Sequence, residues 1–462
     1  MRAYLPAAVR NPYSLLGVAV ATAMAVVFVI LAVLQFTGYL TNPYIGLLVF
    51  VAVPALFVAG LLLIPFGIWR SARRRRLHPA APEWPVIDLR QARQRTILTA
   101  ALVLTIVNVV IVSLAAYGGV HAMESVEFCG QVCHTTMEPQ YAAHQVFPHA
   151  RVACTECHVG PGAGAFAAAK LAGTRQLFHV IANRVPKPVP PPPDLIRTAR
   201  ETCEGCHWPE TFRGDQTRVI REYANDEAST ETATTLRLHI GGGSRALGVG
   251  SGIHWHMNLD NRIDFIASDP PSPGASAGQA VEGTIPYVRL TDRQGNVREY
   301  FAEEFTADEA RGVPTRRMDC MDCHNRPAHS FFFTPERAID TAIVQGRIPR
   351  GLRFARREAV AAVRETYADR AAALEGIAER LTGFYASREG ADAPLVRRLV
   401  AATQEVWSRN VFPAMQVTWG TYPSHLGHID TPGCFRCHDD SHASTDGKTI
   451  SQDCELCHTL PE

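Results

Sequence analysis

Apolar residues crowd the first 120 positions of this 462-residue chain and then thin out. Residues 14–40 and 42–69 each run without a charged side chain, and residues 97–117 do the same. A helix needs ~20 apolar residues to cross the hydrocarbon core of a bilayer, so the pattern predicts three membrane-spanning helices. The apolar core of a cleaved signal peptide is only ~7–15 residues, shorter than any of these runs. Between the second and third runs, residues 70–95 carry eight arginines, including Arg73, Arg74, Arg75 and Arg76, against Glu83 and Asp88 alone. Positive charge marks the cytoplasmic side of a membrane segment. The first two helices then form a hairpin with a short outer turn near residues 38–44. The N-terminus is cytoplasmic, and everything after Val120 lies outside.

Beyond the membrane segments the pattern changes repeatedly. Residues 160–172 are rich in glycine and alanine, and 185–194 (VPKPVPPPPD) predicts a stiff, extended spacer. The stretch 215–317 holds strand-like pieces at 285–290 and 297–301, joined by a hairpin turn at 293–296, and an exposed loop at 269–279. Across 350–412 apolar residues recur at helical spacing, as in Val360, Val363, Tyr367, Ala371, Leu374 and Ile377. Two or three amphipathic helices packed through that stripe follow.

All twelve cysteines fall into six pairs, each followed at once by histidine. Five are C-x-x-C-H: Cys154-Cys157-His158, Cys203-Cys206-His207, Cys320-Cys323-His324, Cys434-Cys437-His438 and Cys454-Cys457-His458. The first is wider, Cys129-Cys133-His134. C-x-x-C-H is the attachment motif of c-type haem: two thiols bond the porphyrin vinyl groups and the histidine becomes a proximal iron ligand. Zinc ribbons, disulfide frameworks and redox dithiols also use paired cysteines, but none requires histidine after every pair. Six covalently bound haem c groups are expected. Their attachment outside the cytoplasm agrees with the topology from the arginine loop. Net charge is +1, so no bulk polyanion is implied, and no nucleic-acid partner is expected.

The fold class that results is a multihaem cytochrome c, mostly α with little regular structure around stacked haems, a small β insertion and three N-terminal transmembrane helices. The expected divisions are a transmembrane anchor (1–120), a di-haem segment (121–185), a middle segment with two haem motifs and the β-rich insertion (186–345), a helical segment (346–412) and a C-terminal di-haem segment (413–462).

A low-spin electron-transfer haem takes a second axial ligand, commonly His or Met. The candidate distal ligands are Met137, His149, His239, His254, His256, His329, His428 and His442, with His144, His179 and His425 behind them. Spacing alone does not pair them with irons. His78 and His121 are expected to be structural.

The segment FCGQVCHTTMEPQYAAHQVFPHARVACTECHVGPGAG (128–164) resembles the NapC/NirT family of membrane-anchored multihaem quinol dehydrogenases. The likeness lies in a membrane helix leading into the first haem motif, a methionine and proline after its histidine, a downstream histidine and a second motif written C-x-x-C-H-V. The close resemblance covers 125–209. Three membrane segments, six motifs and the Cys129–Cys133 spacing depart from the family's usual single helix and four or five haems. They look more like the extended cytochromes of metal-reducing bacteria, which begin with a NapC-like segment. The resemblance implies a site for menaquinol or ubiquinol beside the first haem. Lys170 matches the family's lysine. Leu177, with Gln176 beside it, stands where the family has a carboxylate, which makes Glu138 the alternative proton acceptor. Met137 stands at the third position after His134, where the family usually has methionine at the second.

The expected activity is that of a quinol dehydrogenase, a quinol:cytochrome c oxidoreductase of the bacterial inner membrane. Its haem domain is periplasmic. Its partners are the membrane quinone pool and a periplasmic cytochrome or terminal reductase. Two alternatives stand beside it: an electron-relay subunit without its own quinol site, docked to partner subunits through the transmembrane helices, and a multihaem terminal reductase.

Overall fold

A computed structural model describes residues 11–36, 49, 52–76, 89–132, 134–160, 162–190, 199–208, 211, 214–242, 251–258, 260–267, 283–388 and 392–460. The chain divides into two compact units, Met1–Val132 and Cys133–Glu462.

The first unit is built on α1 (Pro12–Phe36), α2 (Val53–Arg76) and α3 (Ala92–Glu124), each long and apolar enough to cross a membrane. Glycine lets the backbones of α1 and α2 touch. A Cβ on Gly17 would stand 2.6 Å from the Gly60 carbonyl, and one on Gly60 would stand 2.8 Å from the Ala21 nitrogen. Such small-residue contacts are how helices associate where no water drives them together. Near that contact Ser14 Oγ donates to the Ile64 carbonyl at 2.9 Å, and Asn11 Oδ1 accepts from the Ser14 amide at 2.8 Å. Phe28, Val49, Val53 and Ala115 form a small core joining the three helices. Elsewhere their apolar side chains face outward, as Leu62, Leu102 and Leu104 do, which is what contact with lipid requires.

The helices extend past the uncharged runs. α2 continues through Arg70 to Arg76 and α3 begins at Ala92, so both ends of the expected loop are helical. Backbone hydrogen bonding carries a helix into its polar flanks, where hydropathy no longer reports it. The outer turn at 38–44 lies outside the described residues.

The second unit opens with α4 (His134–His144), α5 (Cys154–His158), α6 (Ala163–Ile181) and α7 (Ala199–Cys203). Two antiparallel sheets follow. One runs β1 (Asp215–Tyr223), β2 (Glu231–His239) and β7 (His458–Thr459), in that order. The other is ordered β5 (Val297–Phe301), β4 (Tyr287–Thr291), β3 (Arg262–Ile266), β6 (Arg316–Arg317). The β4–β5 hairpin turns through Asp292, whose carboxylate accepts from the Asn296 amide at 2.9 Å. The exposed loop expected at 269–279 lies outside the described residues.

The largest core belongs to four helices: α8 (Pro335–Val344), α9 (Ala355–Arg364), α10 (Arg370–Ala386) and α11 (Ala393–Asn410). It is centred on Ile339, Val363, Ile377, Leu381, Leu399 and Trp407. The single stripe expected from Val360 to Ile377 is two helices. α9 stops at Arg364, and Asp369 caps α10 by accepting from the Ala372 amide at 2.9 Å. Tyr367 bridges the break with its hydroxyl on the Ala362 carbonyl, while Ala371 is exposed.

Candidate haem sites

Each fully described motif folds as one tight turn. Cys154–His158 is a short α-helix, and Cys320–Asp322, Gly433–Arg436 and Cys454–Leu456 are 3₁₀ turns. Acidic side chains cap two of these turns: Asp319 accepts from the Met321 amide at 2.8 Å and Asp453 from the Glu455 amide at 3.0 Å. In the first motif Cys129 lies in the turn Phe128–Val132 and His134 opens α4; Cys133 and the His134 side chain are outside the described residues.

Opposite five motif histidines stands a second imidazole. His158 faces His329 with ring centres 6.1 Å apart, and His207 faces His149 at 6.0 Å. His324 faces His254 at 6.3 Å, His438 faces His256 at 5.8 Å, and His458 faces His428 at 6.1 Å. The ring planes are 40°, 75°, 2°, 83° and 24° apart in the same order.

Four of the five opposing rings are oriented by a backbone carbonyl at Nδ1. His149 bonds Pro327 at 2.8 Å, His254 bonds Ile240 at 2.7 Å, His256 bonds Ile253 at 2.8 Å and His329 bonds Gln140 at 3.1 Å. Such a bond fixes the tautomer and presents Nε2 as the ligating atom. His428 is oriented instead by stacking on Phe435, 4.3 Å between centres. Burial pushes His329 down to about 4 and lowers His158, His256 and His324 as well, which keeps these rings neutral, the form that binds metal.

These residues fit a haem. A histidine nitrogen binds a transition metal at about 2.0–2.1 Å and its ring centre lies roughly 1.1 Å further back, so two ligands across one iron have centres about 6.3 Å apart. The five separations fall between 5.8 and 6.3 Å. Apolar side chains flank the sites in sequence: Leu426, Ile429, Leu456 and Leu460, beside His428 and His458, are all exposed and suit a porphyrin face.

Thiols of successive motifs influence one another electrostatically. Cys203 is hydrogen-bonded to Cys320, which raises the first and lowers the second. Burial raises Cys157, with Glu156, Cys154 and Cys206 adding to it. Burial pushes Cys323 up to about 12 with Cys434 as the next influence, and raises Cys457 with Cys434 again beside it.

Other candidates sit differently, except that His144 also has its ring centre 6.1 Å from that of His329. His442 has Nδ1 on the Asp439 carboxylate at 2.9 Å and Nε2 on the Ile285 carbonyl at 2.7 Å, so both nitrogens are engaged and the ring ties the C-terminal segment to the sheet. His239 ends β2 with Nδ1 3.0 Å from Asp215 Oδ1. His144 is buried, with Nε2 on the Val152 carbonyl at 3.0 Å. Met137 is half-buried on α4. The next residue, Glu138, pairs with Arg370 at 3.2 Å at the rim of a cleft of about 530 Å³, which Tyr141, Gln145, Arg409 and Phe412 also line. Lys170 lies on α6 with Nζ 4.9 Å from the centre of the Phe166 ring. Arg370 was not legible as a neighbour of Glu138, since 232 residues separate them.

Comparison with known proteins gives the same picture. A model of the N-terminal region of the NapC/NirT cytochrome c family matches residues 91–188. The cytochrome c-type protein ImcH of Geobacter sulfurreducens is 39% identical over 461 residues, covering 97% of this chain and 88% of its own. No solved structure matches. The membrane helices, the haem-attachment motifs and these likenesses agree, and the chain belongs to the NapC/NirT cytochrome c family.

Proposed function

We propose that the chain is a hexahaem c-type cytochrome that oxidises quinol at the outer face of the inner membrane and passes the electrons to a periplasmic acceptor. The observation that carries the reading is the set of five opposed histidine pairs at the haem motifs. We assign His329, His149, His254, His256 and His428 as the distal ligands of the second to sixth motifs, and Met137 as the candidate for the first. Bound haem c supplies one-electron acceptance at each site.

Quinol oxidation releases two electrons and two protons, so the protein must hold the headgroup and take up protons. α6 suits the first task. It carries Lys170 and Arg175 and no acidic residue, and it exposes Leu171, Leu177, Phe178 and Ile181. A basic helix with bare apolar side chains lies readily in the headgroup layer of a membrane. Lys170 there donates to a quinol oxygen. Glu138, carboxylate-bearing and at a cleft rim, accepts one proton and water the other, and its Arg370 partner steadies it. The arginines of 70–95 support a cytoplasmic loop, with the haem side of α3 outside.

The test is anaerobic reduction of the purified, haem-loaded chain by a reduced menaquinone analogue, followed at the cytochrome α-band. Rapid reduction is expected, slowed about 10²-fold by Glu138→Gln, the scale of a lost general base. Lys170→Ala weakens quinol binding. Reduction by dithionite but not by quinol supports the relay-subunit reading instead.

A further inference from the structure

Ile253–Met257 is one 3₁₀ turn carrying both His254 and His256. At ~3 residues per turn, side chains two apart diverge by roughly 120°, so these two imidazoles cannot face one metal. His254 stands opposite His324 and His256 opposite His438, histidines of two successive motifs.

The turn is clamped on both sides. Gly242 and Gly252 have φ of +111° and +113°. A Cβ on Gly242 would fall 2.2 Å from the Trp255 nitrogen, and one on Gly252 would fall 2.7 Å from the His239 carbonyl. The His254 amide donates to the Gly241 carbonyl at 2.9 Å, and Asn261 Nδ2 donates to the Trp255 carbonyl at 3.1 Å. Trp255 packs on the sheet core of Ile263, Phe265, Ile285 and Val288, against which Met318 and Cys437 also pack. Met318 is two residues ahead of Cys320, and Cys437 is the second cysteine of the fifth motif. One small sheet core thus holds the turn and a flank of each motif that the turn faces.

We propose that this single turn supplies the distal ligands of two neighbouring haem irons, His254 to the iron held by His324 and His256 to the iron held by His438, with the sheet β3–β6 as their common clamp. The proposal rests on the haem reading above and is independent of quinol.

The experiment is low-temperature electron paramagnetic resonance of the oxidised full-length chain in detergent, with potentiometric titration, on wild type, His254→Met and His256→Met. Nearly coplanar imidazoles give a rhombic low-spin signal, and crossed imidazoles a single large-g signal. His254→Met is expected to remove the rhombic signal of the coplanar pair. His256→Met is expected to remove about half of the large-g intensity, which His149 with His207 otherwise shares. Each variant should retain six haems by mass and gain one haem of raised potential, as methionine ligation confers. Six haems with unchanged spectra and titrations in both variants overturn the proposal. Should the variants fail to mature, orientation-selective pulsed measurement of wild type decides: a pair near 2°, resolved from those near 24° and 40°, together with two crossed pairs supports the assignment, and absence of such a pair overturns it. A chain that quinol fails to reduce but that shows these signals loses only the quinol reading.

Discussion

Asp340 is gripped by Arg356 from two directions, Nε to Oδ1 at 2.7 Å and Nη2 to Oδ2 at 3.1 Å, with both side chains nearly buried. The same guanidinium donates to Asn225 Oδ1 at 2.7 Å, so the pair fastens the β1–β2 hairpin to the helical core. Removing one partner of a buried ion pair strands the other. Asp340→Ala is expected to cost about 3–5 kcal/mol, read as a lowered denaturant midpoint of the haem-loaded chain. Unchanged stability would show that the pair is not fastening the hairpin.

Asp264 makes stability depend on acid. It is buried in β3, which by itself would raise its carboxyl, but Arg262 at 2.9 Å and Arg289 at 3.1 Å outweigh the burial and hold it below the usual range. A depressed carboxyl contributes its full stabilisation above its unfolded value, about 3.9, and loses it as pH falls through the lower folded value. Stability should therefore drop as pH is taken below about 4, and Asp264→Asn should flatten that part of the profile. An unaltered acid limb in the variant would assign the loss to other carboxylates.

Gly252→Ala places a side chain where φ is +113° and the His239 carbonyl is 2.7 Å from the new Cβ. The expected penalty is about 1–3 kcal/mol. Because the turn faces two motif histidines, the spectra of both sites should change together. A change at one alone would mean that the two ligands move independently.

In the anchor, Ser14→Ala removes the 2.9 Å bond to the Ile64 carbonyl. Interhelical hydrogen bonds in membranes average about 0.6 kcal/mol, so the variant should show a small fall in thermal stability in detergent. Gly17→Leu, which drives a side chain into the Gly60 carbonyl, should be far worse. Equal effects would argue against close contact of α1 with α2.

Much of this was legible in the sequence because covalent chemistry and bilayer thickness leave strong patterns. The haem motifs need their residues at fixed spacing, and the three apolar runs need their length. The β4–β5 hairpin announced itself through alternating residues around a polar turn. Other elements left weaker marks. The β1–β2 hairpin pairs nine residues of each strand, yet many of its side chains on both faces are exposed, so no inside–outside alternation marks it. The break between α9 and α10 falls where apolar residues keep helical spacing, and only the Asp369 cap betrays it. Opposed histidines are separated by up to 182 residues in the case of His256 and His438, and only folding brings them together.

The thiols that influence one another, Cys157 with Cys206, Cys203 with Cys320, Cys323 with Cys434 and Cys434 with Cys457, follow the order of the chain. Conductors joined end to end share one current. Haems strung along that order would make throughput depend on the slowest hop, so loss of a middle haem is expected to slow reduction of those beyond it.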